Sequence, residues 1–289
     1  MNILVCGAGG QLGTALSRLD WPGADIRSVD RAQLDLRDAR TVSAALESFR
    51  PDYVINAAAY TDVERAEREP EAAFEVNASA AGELARQCRK VGARLIHVST
   101  DYVFDGRSAR PYRPEDPPNP INVYGKSKLE GEQRVMEESG GQALILRTAW
   151  VYSSIGRNFV LKILDRIRQG SELRVVTDQV GTPTWTASIA DAIRSLVNCD
   201  EARGICHFTD AGSASWFELA SEVMRQAFDL GLIRSTVRIE PVDSSQYPTA
   251  AARPAYSMLD TSLFERLTGM RPRHWKESLA SMLGGMRTP

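Results

Sequence analysis

Neither sign of charge dominates this chain: 35 lysines and arginines face 37 aspartates and glutamates, for a formal net charge of −2. Without a basic excess the surface has no field to hold a phosphodiester backbone or an anionic lipid, so neither nucleic acid nor membrane is expected as a partner. No apolar run is long enough to span a bilayer. Met1 and Asn2 lead straight into Ile3-Leu4-Val5, with no basic stretch and no signal-type apolar segment, which makes the cytoplasm the expected location. Cysteine is scarce. Cys6, Cys88, Cys199 and Cys206 form no C-x-x-C pair and suit small buried residues in a reducing compartment better than bridges. The three histidines, His97, His207 and His274, are scattered without metal-ligand spacing, so no metal site is expected. Internal repeats and low-complexity segments are absent too. What remains is an ordinary composition, 43% hydrophobic and 25% charged over 289 residues, enough for a large α/β domain with or without a smaller companion.

The first half alternates short apolar runs with helical patterns. Asn2 to Cys6, Ala24 to Val29, Tyr53 to Asn56, Arg94 to Val98 and Ala143 to Leu146 read as strands. Between them lie helical patterns over Thr14 to Leu19, Ala39 to Ser48 behind a capping Asp38, and about Glu71 to Lys90. Strands and helices at this spacing predict a parallel, doubly wound sheet covered on both faces. From Val151 the alternation weakens. Helices are expected over Asn158 to Gln169, Thr186 to Val197 and Trp216 to Phe228, with strands at Val175-Val176, Ile205 to Phe208 and Val237 to Val242. The expected division is a dinucleotide-binding domain over residues 1–150, open to later segments rejoining its sheet, and a smaller α/β substrate-binding region over 151–289.

Gly7, Gly10 and Gly13 recur every third residue between the first strand and the first helix, with Gly9 beside them. Glycine there permits a tight turn, lets backbone N–H groups approach a pyrophosphate and lets the helix pack against the strand. The helix N-terminus then faces the phosphates with its partial positive charge. The G-x-x-G-x-x-G spacing differs from the commoner G-x-G-x-x-G, but its place between strand and helix makes the signal strong. Asp30 ends the second strand, where a carboxylate can bind the ribose hydroxyls of NAD; the adjacent Arg31 can instead meet the 2′-phosphate of NADP. Both cofactors stay open. Asp35 and Leu36 are candidates to flank the adenine, with a surface turn as the alternative for Asp35.

Tyr124 and Lys128 are four residues apart, so on a helix they share a face. An ammonium there is expected to favour ionisation of the phenol and lower its pKa, fitting the tyrosine for proton transfer near neutral pH. On an open parallel sheet, ligands bind beyond the carboxyl ends of the strands, where Ala57 to Tyr60 and Ser99 to Tyr102 also lie. Thr100 is placed to hydrogen-bond a substrate oxygen beside Tyr124. Hydroxyl, phenol and ammonium together suit reduction of a carbonyl.

An N-terminal glycine loop, a threonine after the fourth strand and Tyr-x-x-x-Lys resemble the extended short-chain dehydrogenase/reductase family, a Rossmann-type fold. The likeness is to its dTDP-4-dehydrorhamnose reductase branch. It rests on Gly10-Gln11-Leu12-Gly13, Asn56-Ala57-Ala58-Ala59-Tyr60-Thr61, Ser99-Thr100-Asp101-Tyr102-Val103-Phe104-Asp105-Gly106, Tyr124-Gly125-Lys126-Ser127-Lys128, Arg147-Thr148-Ala149-Trp150-Val151-Tyr152, Gly181-Thr182-Pro183-Thr184 and Arg253-Pro254-Ala255-Tyr256-Ser257-Met258-Leu259-Asp260. The resemblance implies reduction of the 4-keto group of dTDP-4-dehydro-L-rhamnose by NADPH or NADH. It implies Tyr124 as proton donor and Lys128 as the group that holds the nicotinamide ribose and tunes the phenol. Thr100 and Asp101 would contact the sugar, and Trp150 would line the substrate pocket. Gly10, Gln11, Leu12, Asp30, Asp35, Leu36, Ala58, Ala59 and Tyr60 would belong to the cofactor site.

One departure is visible. Some bacterial members carry a first-helix glutamate that takes part in a magnesium-linked dimer, and this chain has Ala15 there, so a homodimer is compatible with the resemblance but its metal link is not carried over. Arg253 is a candidate partner for the diphosphate, with an exposed salt bridge as the alternative. Asp178 reads as a turn ahead of a ligand contact, and Trp185, Trp216 and Trp275 as packing residues. The competing functions are a nucleotide-sugar 4-epimerase, a reductase of another dTDP-4-keto-6-deoxy sugar, and a non-catalytic NADP-binding regulatory subunit.

Overall fold

A computed structural model describes residues 1–286 of the chain. Its centre is a six-stranded, wholly parallel sheet: β1 (Asn2–Cys6), β2 (Asp25–Val29), β3 (Tyr53–Asn56), β4 (Arg94–Thr100), β5 (Leu144–Thr148) and β6 (Gly204–His207). The spatial order is β6-β5-β4-β3-β1-β2. The order reverses between β1 and β3, the switch point at which an open α/β sheet leaves a crevice for a ligand.

The buried side chains of β1 alternate between two cores, as a sheet covered on both faces requires. Ile3 and Val5 join one core with Leu12 and Leu16 of α1 (Gln11–Arg18). Leu4 and Cys6 join the other with Val42 and Leu46 of α2 (Ala39–Phe49) and Leu84 and Cys88 of α3 (Ala80–Val91). The expected single helix from Glu71 to Lys90 is broken into three pieces. A short helix, Pro70–Phe74, runs through a π turn at Glu75–Ser79 into α3. The extra residue in that turn brings the Asn77 side chain to the backbone of Tyr60, accepting from its N–H at 2.8 Å and donating to its carbonyl at 3.0 Å. Alanine-rich spacing gives no sign of such a turn.

Helix α4 (Val123–Glu138) crosses the same face. Asn122 starts it by accepting from Gly125 N at 2.7 Å, a cap that contributes about 1 kcal/mol. The second half contributes α5 (Phe159–Arg168), α6 (Thr186–Val197) and α7 (Trp216–Asp229). Between α6 and α7 the chain re-enters the main sheet as β6 beside β5, and Ile189, Ile193 and Leu196 of α6 share the core of α1. Short strand pairs and a separate core around Val160, Leu164, Leu219, Val223, Trp275 and Leu279 complete this half. Among the described residues no helix is long and apolar enough to cross a membrane, and all four cysteines are free thiols.

Candidate active site

A cleft of about 880 Å³ opens at the carboxyl ends of the strands, a volume in the range of small-molecule and cofactor sites. Of the residues singled out above, Gly7, Gly10, Gln11, Leu12, Asp30, Arg31, Asp35, Leu36, Ala58, Ala59, Tyr60, Thr100, Asp101, Tyr124, Lys128 and Trp150 all line it. Gly13 and Arg253 do not.

Gly7 adopts φ +86°, and its N–H and that of Ala8 both donate to Val29 O at 2.9 Å. A Cβ on Gly7 would lie 2.7 Å from Ala58 N, so only glycine lets the loop pass this close to the end of β3. Gly13 acts from beneath: a Cβ there would collide with the Gly7 carbonyl, so its role is to seat α1 under the loop. Gly10 begins α1 without a side-chain cap, leaving the first N–H groups of the helix open to an anion. Gln11 ties the loop to the second half, its Oε1 accepting from Ser153 Oγ at 2.9 Å and Asn158 Nδ2 at 2.8 Å.

At the adenosine end, the Asp30 carboxylate accepts from the N–H groups of Ala32 at 2.9 Å and Gln33 at 3.0 Å and so builds its own turn. Arg31 beside it is 74% exposed and lies 3.7 Å from Asp35. Asp35 is clasped by Arg37 through contacts of 2.9 and 2.5 Å, and this pairing holds its carboxyl well below the usual carboxylate range. Arg37 also lines the cleft. It was not anticipated from sequence; as one basic residue among many near Asp35, it carried no distinguishing signal.

Around the reacting end, Tyr124 and Lys128 are both buried on α4. The expected lowering of the Tyr124 phenol by Lys128 is not what the environment produces. Burial pushes the phenol well above its ordinary value, and the neighbouring Thr100 hydroxyl works only partly against this. Lys128 is instead directed to the sheet: Nζ donates to Val98 O at 2.7 Å and lies 3.2 Å from His97 Nε2. Burial brings its pKa down to about 8. Thr100 donates its hydroxyl proton to Asp101 Oδ1 at 3.0 Å and accepts from Tyr102 N at 3.2 Å. Burial raises the Asp101 carboxyl to about 6, opposed by the nearby Ser257 and Thr100 hydroxyls, and Oδ2 is left without a partner.

Trp150 holds φ +46°, an uncommon conformation for a bulky residue. Its indole lies between Gly181, where a Cβ would strike the ring, and Trp216, stacked at 3.5 Å and 2°. Trp216, expected only to pack, thus also lines the cleft, and its Nε1 donates to Gln179 Oε1 at 3.1 Å. Trp275 does pack in the core, and Asp178 ties a loop by accepting from Ser244 Oγ at 2.5 Å. Arg253 sits outside the cleft lining, ion-paired with Glu64 at 2.7 Å. Arg157 and Phe159 of the second half complete the wall, and nothing local in sequence marked them.

Known proteins resemble this chain over nearly its whole length. The family described as RmlD substrate binding domain matches residues 1–288. A dTDP-4-dehydrorhamnose reductase from Streptomyces griseus is 41% identical over 282 residues, covering 96% of this chain and 91% of that one. The spore coat polysaccharide biosynthesis protein SpsK of Bacillus subtilis is 38% identical over 283 residues, covering 98% and 96%. The crystal structure of a dTDP-4-dehydrorhamnose reductase from Bacillus anthracis in complex with NADP superposes with a TM-score of 0.91 at 36% identity, covering 97% and 98%.

Proposed function

This chain belongs to the dTDP-4-dehydrorhamnose reductase family, and we propose on that footing that it reduces the 4-keto group of dTDP-4-dehydro-L-rhamnose with NADPH or NADH, giving dTDP-L-rhamnose. The observation that carries the reading is a single cleft shared by the open backbone of the glycine loop and the Thr100, Tyr124 and Lys128 side chains. The residues present fit a dinucleotide: a loop that a Cβ at Gly7 would fill, uncapped N–H groups at the start of α1, and small Ala57, Ala58 and Ala59 along the wall.

The nicotinamide cofactor, when bound, supplies the hydride that C4 of the sugar receives. As that carbon gains the hydride, negative charge grows on its oxygen, and Tyr124 hands over its phenolic proton. A phenol with a raised pKa suits this direction. It stays protonated at neutral pH, and an alkoxide is a stronger base than the phenolate left behind, so the transfer runs downhill. Thr100 has one hydroxyl proton, given to Asp101 Oδ1, and steadies the oxyanion by exchanging that partner for the substrate oxygen. The unpaired Asp101 Oδ2 is a buried acceptor available to a sugar hydroxyl. Lys128 holds the cofactor's ribose in this reading, and Trp150 forms a wall for the sugar.

For the adenosine end, Asp30 is engaged by its own turn while Arg31 and Arg37 stand in the wall, an arrangement that favours a 2′-phosphate. NADPH is therefore the preferred donor. Location in the cytoplasm belongs to the same reading, supported by four unbridged thiols. A homodimer is compatible with it, and light scattering on the purified protein reads the assembly.

The test supplies dTDP-4-dehydro-L-rhamnose with each cofactor and identifies the product by NMR. Steady oxidation of the cofactor with appearance of dTDP-L-rhamnose is expected. A tightly retained oxidised cofactor with no net consumption would move the assignment to a 4-epimerase. Cofactor binding without any turnover would move it to a regulatory subunit.

A further inference from the structure

We infer that His97, held by Asn56, is a positioning residue that presents its ring Nε2–H to Lys128 and favours the uncharged amine form of that lysine. The argument starts from a donor whose identity is fixed. The backbone N–H of Ala58 lies 3.1 Å from one end of the Asn56 amide, and that end must be the oxygen, because a backbone N–H only donates. The other end of the amide is then the NH₂ group, 3.1 Å from His97 Nδ1. Nδ1 accepts, so the proton of the neutral imidazole sits on Nε2. That proton points at Lys128 Nζ, 3.2 Å away, which already donates to Val98 O at 2.7 Å. A neutral amine satisfies this geometry, giving one N–H to Val98 and taking the histidine N–H on its lone pair. An ammonium has no lone pair and meets a donor instead.

All three side chains are buried, Asn56, His97 and Lys128 being 1% exposed each, so water does not relieve the mismatch. The charged and titratable groups facing the pair are few. Glu132 lies one turn further along α4, with its carboxylate taken by Arg147 of β5, and Tyr124 lies one turn before, with Asp101 beyond it. Burial holds His97 well below its usual pKa, consistent with a neutral ring.

Resting on the proposed reduction, the role is specific. Once Tyr124 has given its proton to the substrate oxygen, a phenolate remains. When Lys128 enters the step as an ammonium, a proton leaving Nζ and reaching that phenolate, directly or through a hydroxyl between them, restores the phenol and leaves a neutral amine. Charge is conserved, and water resupplies Lys128 after product release. His97 stabilises the amine end of this exchange.

The first experiment needs neither substrate nor cofactor and so stands apart from the proposed reaction. Ring ¹⁵N shifts of the three histidines are recorded between pH 6 and 9. His97 is expected as a neutral ring protonated on Nε2; a ring protonated on Nδ1, or an imidazolium, overturns the inference. The second follows the Lys128 side-chain ¹³Cε shift with pH in the wild type, in His97→Phe, which keeps a ring without the N–H, and in His97→Gln, which restores a donor. The Lys128 titration is expected to rise by about half a pH unit or more in His97→Phe and to return toward wild type in His97→Gln. Equal titrations in all three proteins contradict the role. If the phenylalanine variant does not fold, the wild-type ring tautomer decides alone.

Discussion

Asp101 is a fully buried carboxyl group whose environment departs from solution. Its folded-state pKa of about 6 stands above the ordinary 3.8, so between those values the folded chain binds more protons than the unfolded one. Stability contributed through this group is therefore lost as pH rises across that window, on the order of 2 to 3 kcal/mol. Asp101→Asn is expected to remove that slope, which urea denaturation of both proteins at pH 4, 5 and 6.5 measures; parallel pH dependences would show that the carboxyl titrates as in water. Arg31 carries a second residue-scale consequence. Arg31→Ala is expected to raise the KM for NADPH about 10-fold while leaving that for NADH within 2-fold, a change of roughly 1.4 kcal/mol confined to the 2′-phosphate. Equal effects on the two cofactors would remove Arg31 from that contact. That Thr100, Tyr124 and Lys128 meet in one cleft was legible because their spacing is local or set by a strand end. The direction of the Tyr124 shift was not, because burial depends on the sheet and loops that enclose the phenol and not on its neighbour four residues away.

Helix α4 carries much of the site, and its fixings explain why. Asn122 caps it, and Ser127 accepts from Asn77 of the π turn at 2.9 Å. Glu132 forms a two-pronged pair with Arg147 of β5, at 2.9 and 2.6 Å, where the two side chains are 3% and 1% exposed. Removing one partner of such a pair leaves an unpaired buried charge, so Glu132→Gln is expected to lower unfolding stability by about 3 to 5 kcal/mol. Chemical denaturation checks this; a loss below 1 kcal/mol would show the pair to be solvated. That Tyr124 and Lys128 would share one face of a helix was readable from their spacing. Its anchors were not, because Glu132 and Arg147 lie fifteen residues apart on different elements, and the π turn that delivers Asn77 sits inside a stretch with uniform helical spacing.

At the scale of the molecule, the alternating first half announces a parallel sheet, but the walls of the cleft come from both halves. β6 returns to the sheet and α6 covers the same face as α1. Arg157, Phe159 and Trp216 then close on the opening from elements whose placement depends on tertiary packing, and their local sequence does not reveal it. The stacked Trp150–Trp216 pair is such a case: Trp150 was expected in the pocket and Trp216 only in the packing, and it is the fold that makes them one wall. The account as a whole rests on Tyr124 giving a proton to the keto oxygen as the hydride arrives in this cleft. Single-turnover oxidation of NADPH by the keto sugar, followed by stopped-flow absorbance in wild type and Tyr124→Phe, tests it most directly. The variant is predicted to bind NADPH with unchanged affinity and to turn over about 100- to 10,000-fold more slowly; a rate within a few-fold of wild type would contradict it.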